Sequence, residues 1–107
     1  MQTICSNILI VKRQETMKVE LTNRFEKQYT GLVKEDHRLR SSIQKTLTYL
    51  LDFPPAHPSL RIKRIQGTDG VYECSVNMDI RITFEFTAGE TILLRNIDHH
   101  DKALKRP

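Results

Sequence analysis

The side chains best suited to chemistry lie in the second half of the chain. Ser75, Asn77, Asp79, Arg81 and Thr83 alternate along one strand pattern, Arg95 lies near the end of another, and His99 and His100 close it. Lys63 and Arg64 approach from a preceding strand, and Arg61 and Lys102 extend the basic set. Cations, a carboxylate and imidazoles together are what metal-free RNA cleavage requires. One group must take the 2′-OH proton and another must protonate the leaving 5′-oxygen. A fixed cation must offset the charge that builds on the phosphate. With the 2′-OH as nucleophile, RNA is cut and DNA is spared. Each residue also has an ordinary reading, since Arg and Asp on a solvated strand face usually serve solubility and a lone histidine is more often structural.

Asp98-His99-His100-Asp101 invites a metal reading. Adjacent side chains on a strand point to opposite sides, so only alternate members could share an ion. Spacings typical of zinc sites are absent, and no metal or cofactor is expected.

These groups must be positioned by the elements around them. Lys18 to Leu21 reads as a short strand with Val19 and Leu21 on one face. Asn23 followed by Glu26 fits the start of a helix, and Phe25, Tyr29 and Leu32 then form an apolar stripe at i, i+4, i+7. A second helix begins near Asp36. Leu39, Ile43, Leu47 and Leu50 keep the helical spacing, while Arg38, Arg40, Gln44 and Lys45 face outward. Pro54-Pro55 ends it, because proline removes a donor and restricts its predecessor. After Pro58 the period drops to two. Leu60 to Ile65 forms a strand, and Tyr72, Cys74, Val76 and Met78 alternate with polar residues. Ile80, Ile82, Phe84 and Phe86 alternate with Arg81, Thr83 and Glu85. Thr87 to Glu90 turns the chain into a return strand, Thr91 to Ile97. The expectation is an α+β fold, β-α-α-β-β-β, with a two-helix hairpin on one face of a small antiparallel sheet. Arg81 and His99 would then project into one groove on the uncovered face.

The bulk numbers bound the rest. A chain of 107 residues, 38% apolar, builds one modest core and one domain. Seventeen basic against thirteen acidic residues leave +4, which fits a polyanionic partner without demanding one. Two cysteines give no disulfide framework, so a reducing cytoplasm is the simplest compartment. Ile8 to Val11 is too short for a membrane span. Residues 1–16 lack the pattern of the remainder and read as an extension before a working domain at 17–107, opening at Met17. The rival reading makes Ile8 to Val11 an added edge strand.

Over residues 17–104 the chain resembles the RelE-like toxins of bacterial type II toxin–antitoxin systems, within the RelE/ParE superfamily. The likeness rests on element order and three stretches: Lys63-Arg64-Ile65-Gln66-Gly67 leading to Tyr72, Met78-Asp79-Ile80-Arg81-Ile82-Thr83-Phe84, and Leu94-Arg95-Asn96-Ile97-Asp98-His99. The resemblance implies a metal-independent endoribonuclease that cuts mRNA, commonly on the ribosome. It also implies a monomeric toxin silenced by an antitoxin that wraps its surface. It gives Arg81 the phosphate-stabilising role and matches Asp79, His99 and Lys63 to active-site positions of YafQ-type members. Departures are clear: Glu73 and Ser75 stand where RelE carries a pair of lysines, and YafQ-type members have a histidine at the position of Ser75. A ParE-like inhibitor of DNA gyrase, or a relic that only binds, remain the alternatives.

Overall fold

The computed structural model describes residues 18–52, 57–87 and 90–107. The extension at 1–16, its rival edge strand, Met17 and the Pro54-Pro55 stop all lie outside the described residues, as do Ala88 and Gly89 of the last turn. The elements run β1 (Lys18–Leu21), α1 (Asn23–Val33), α2 (His37–Leu50), a 3-10 turn (Pro58–Leu60), β2 (Lys63–Arg64), β3 (Val71–Ser75), β4 (Ile80–Thr87), β5 (Thr91–His99) and α3 (His100–Lys105). The fold is α+β as expected, but four strands follow α2, giving β-α-α-β-β-β-β in place of β-α-α-β-β-β, and α3 is an addition. Among the described residues no helix is long and apolar enough to cross a membrane.

Both long helices start where a side-chain oxygen accepts a free backbone N–H. For α1 that residue is Thr22, one position before the expected Asn23, and its Oγ1 accepts from Phe25 N at 3.0 Å. For α2 it is Asp36, whose Oδ1 accepts from Leu39 N at 2.9 Å. The apolar stripes of both helices meet the sheet. Phe25, Val33, Ile43 and Leu50 pack with Cys74, Ile80, Ile82, Phe84, Ile92, Leu94 and Ile97 in one core.

Among the described residues five strands are ordered β1-β5-β4-β3-β2. β2 to β5 form an antiparallel meander, but β1 pairs with β5 in parallel, Lys18 opposite Thr91 and Leu21 opposite Leu94. The sheet is therefore mixed rather than antiparallel. A period-two pattern reports which face a side chain meets and says nothing of strand direction. Among the described residues β1 is the edge of the sheet, and its Val19 and Leu21 are exposed. The strand expected at Leu60 to Ile65 shrinks to two residues after the 3-10 turn. Alternation also does not run through Met78: Val76 N donates to Ile80 O at 3.0 Å, so residues 76–80 form a tight turn with Met78 in solvent.

β5 carries one residue more than β4 can pair. Phe84 lies opposite Leu94 and Thr83 opposite Asn96, leaving Arg95 as a β-bulge. At a bulge two neighbouring side chains share a face, so Arg95 and Asn96 both point away from the core. The backbone groups that β1 no longer reaches are taken by α1. Thr22 Oγ1 donates to Arg95 O at 2.8 Å, and Gln28 Oε1 accepts from Ile97 N at 3.0 Å. Buried or half-buried backbone groups need such partners.

The face opposite the long helices is only partly open, with a depression of about 540 Å³ beside Glu85, Arg95, Arg106 and Pro107. Ala103 of α3 is buried there, and the fully buried Asn96 donates through Nδ2 to Ala103 O (3.1 Å) and Arg106 O (3.2 Å). Thr83 Oγ1 and Arg95 Nε both donate to Pro107 O, at 3.0 and 3.1 Å. The C-terminal segment is thus strapped across the middle of the sheet.

Cys74 lies in the core as expected. Burial pushes its thiol up to about 12, Glu73 adding to the effect and Arg81 opposing it. The unfolded thiol ionises near 9.0, so this group's contribution to stability is whole below pH 9 and is lost as the pH rises through 9 toward 12. Stability should fall more steeply in that window for the native chain than for Cys74→Ala, as read by urea titrations. Asn96→Ala should cost about 1–3 kcal/mol, because one buried and one part-buried carbonyl lose their donor. Asn96→Asp should cost more, and in both variants hydrogen exchange should show α3 deprotected before the rest of the sheet.

Candidate functional site

The turn at 76–80 is built by one side chain. Asn77 Oδ1 accepts from Asp79 N (2.8 Å) and Ile80 N (2.7 Å), an Asx turn that fixes the backbone of Asp79. The Asp79 carbonyl accepts from His100 N at 2.6 Å, joining the turn to the junction of β5 and α3. Its carboxylate is then set against the last residue of β5: Asp79 Oδ2 lies 2.6 Å from His99 Nδ1. The backbone N–H of His99 donates to Asp98 Oδ1 at 2.8 Å, which holds the base of the side chain.

Both partners stay accessible, with His99 50% and Asp79 63% exposed at the side chain. A contact this exposed contributes little to folding. The pair borders an open depression of about 450 Å³ whose far wall is the start of α2, with Arg38, Leu39 and Ser42, and Leu32 of α1. A carboxylate on one ring nitrogen fixes the proton there and leaves the other nitrogen free to accept one. The arrangement can therefore act as an oriented base beside a surface with room for a ligand.

Arg81 does not join His99 in a groove on an uncovered face. Cross-strand neighbours share a face. His99 pairs with Ile80 on the long-helix side, whereas Arg81 pairs with Asp98 and Ser75 on the opposite side. The bulge is the cause: extended without it, the register of the β4–β5 hairpin would set Arg81 and His99 on the same face. The Arg81 guanidinium reaches the 76–80 turn from its own side and is held there. Nη1 donates to Asn77 O at 2.6 Å and Ile80 O at 3.2 Å, and Nε lies 3.8 Å from Glu73 Oε1.

The other expected residues scatter. Lys63 pairs with Glu73 and belongs to Arg81's face, away from His99. Arg95 is ion-paired with Glu85 and bound to the C-terminal carbonyl. Arg64 Nη2 donates to Thr68 O at 3.4 Å. Arg61, at φ 49°, caps the 3-10 turn with its side chain in solvent. His100 turns into α3 with Nδ1 3.4 Å from Asp101, and Lys102 is exposed on that helix. Of the four central residues the structure brings together Asp79 and His99 alone. Arg38, read from sequence as outward-facing, lines their depression. Its position two residues after a cap was the available signal, and helical periodicity alone gave no reason to act on it. Among the described residues no three His, Cys, Asp or Glu side chains gather as a metal site would require.

Known structures share this fold. A metal-bound toxin from Helicobacter pylori superposes with a TM-score of 0.69 at 22% identity, covering 80% of this chain and 97% of that one. The DinJ–YafQ complex from Escherichia coli gives 0.67 at 16% identity, with 80% and 96% covered. A YoeB/ParE toxin from Agrobacterium tumefaciens gives 0.69 at 16% identity, with 78% and 99% covered. No curated protein matches in sequence. The model of the ParE toxin of the type II toxin–antitoxin system parDE, in contrast, matches residues 19–104. The chain belongs to that family, within the RelE/ParE superfamily, and is a toxin of a type II toxin–antitoxin system.

Proposed function

We propose that this toxin is an endoribonuclease in which His99 is the general base and Asp79 orients it. The observation that carries the reading is the 2.6 Å contact between His99 Nδ1 and Asp79 Oδ2 at the edge of an open depression. A carboxylate beside Nδ1 keeps the proton on that nitrogen and leaves Nε2 with a lone pair, the logic that serves His–Asp pairs in hydrolases. Nε2 takes the 2′-OH proton as the 2′-oxygen attacks the adjacent phosphorus. The P–O2′ bond forms, the P–O5′ bond breaks, and the 5′-oxygen leaves with a proton from water. The products are a 2′,3′-cyclic phosphate and a 5′-hydroxyl. The step needs no metal.

The resemblance to RelE and YafQ-type toxins supports mRNA as the substrate, engaged on the ribosome in the cytoplasm. The DinJ–YafQ complex supports a cognate antitoxin as the partner that silences the toxin. Of the residues that the resemblance assigns to catalysis, Lys63 and Arg81 lie on the other face. Arg81 is here a positioning residue: its bonds to Asn77 O and Ile80 O hold the turn that presents Asp79. The ParE family description favours a second reading, inhibition of DNA gyrase by binding alone.

Primer extension on mRNA after induction separates the two. Discrete cuts are expected with the native toxin and none with His99→Ala, whose urea midpoint should match the native one. Intact RNA together with replication arrest and DNA breaks would instead establish the binding toxin. Arg81→Ala should lose about 1 kcal/mol of stability, since an exposed and a part-buried carbonyl lose a charged donor. An Arg81→Ala protein as stable as the native one yet unable to cut would return this arginine to the phosphate.

A further inference from the structure

The His99–Asp79 depression has a base and an orienting carboxylate but no cation from the residues expected to supply one. Arg81 is spent on two carbonyls and Glu73, and Arg95 on Glu85 and Pro107. A phosphodiester entering here would meet the negative charge of Asp79 without compensation. The wall facing His99 carries one arginine, Arg38, in the first turn of α2. Among the described residues no carboxylate or carbonyl holds its guanidinium.

We infer that Arg38 is the phosphate-binding cation of this site, gripping the backbone of single-stranded RNA across the depression from His99. The inference rests on the reading that this depression receives RNA. Three features support the assignment. A guanidinium matches two phosphate oxygens at once, which a lone ammonium cannot do. The N-terminal turn of a 14-residue helix adds positive potential where the anion would sit. Asp36 also borders the depression and opposes this attraction, but its Oδ1 is already engaged by Leu39 N. Finally, Leu32 and Leu39 give the depression an apolar floor on which a ribose can rest while its phosphate reaches Arg38.

Binding of a short single-stranded RNA with 2′-O-methyl riboses, which cannot be cut, tests this independently of cleavage. Fluorescence anisotropy across a salt series is the readout. Arg38→Ala should weaken binding about tenfold at low salt and lower the slope of log affinity against log salt by about 0.7, one phosphate's worth on a single strand. Arg38→Lys should keep most of the slope. An unchanged slope in Arg38→Ala overturns the inference, and so does native protein that shows no salt-dependent binding. Cleavage that persists in His99→Ala while the Arg38→Ala slope falls would remove His99 as the base and leave the phosphate contact standing. Native cutting with an unaltered Arg38→Ala slope would remove Arg38 alone.

Discussion

Arg95 has no cross-strand partner on β4, and that unpaired residue determines which face every later side chain of β5 meets. Before it, Leu94 points into the core and Leu93 away; after it, Ile97 points in and Asn96 and Asp98 away. A strict alternation would have driven Ile97 out of the core and lost on the order of 1.5–3 kcal/mol of apolar burial. The bulge keeps Ile97 fully buried while allowing two adjacent polar residues, Arg95 and Asn96, to share the far face. There they hold the chain's last residues by their carbonyls.

The same shift divides the polar residues into two groups with different work. On the far face Arg81, Glu73, Arg95 and Glu85 form ion pairs and bonds to backbone carbonyls, close to α3 and the C-terminal residues. These groups are committed to holding the structure. On the long-helix side, at the end of the sheet, the side chains of His99 and Asp79 bond each other, half in solvent.

Asp79 links these groups. Its amide is fixed by Asn77, its carbonyl by His100 and its carboxylate by His99, so one residue joins the β3–β4 turn to the β5–α3 junction. Arg81 steadies that turn from beneath. A side chain on a tight, hydrogen-bonded turn holds its orientation better than one on a free loop. The α2 wall, carrying Arg38, completes the depression from a distant part of the chain.

Much of this was legible in the chain itself. Helical spacing at Phe25, Tyr29 and Leu32 and at Leu39, Ile43, Leu47 and Leu50 marked both helices, because burial of one stripe leaves a 3.6-residue period. Period-two alternation marked β3 and β4 and put Cys74, Ile82 and Phe84 in the core. The residue types at 79 and 99 were those of acid–base chemistry. Tertiary structure alone decided the remainder. Strand direction leaves no trace in alternation, so the parallel β1–β5 pair was invisible. A bulge depends on hydrogen-bond register between two strands, which no single strand encodes, and it moved His99 to the face opposite Arg81. That Arg38 and His99 border one depression depends on how a helix packs on a sheet some sixty residues away in sequence, and local patterns carry no term for that.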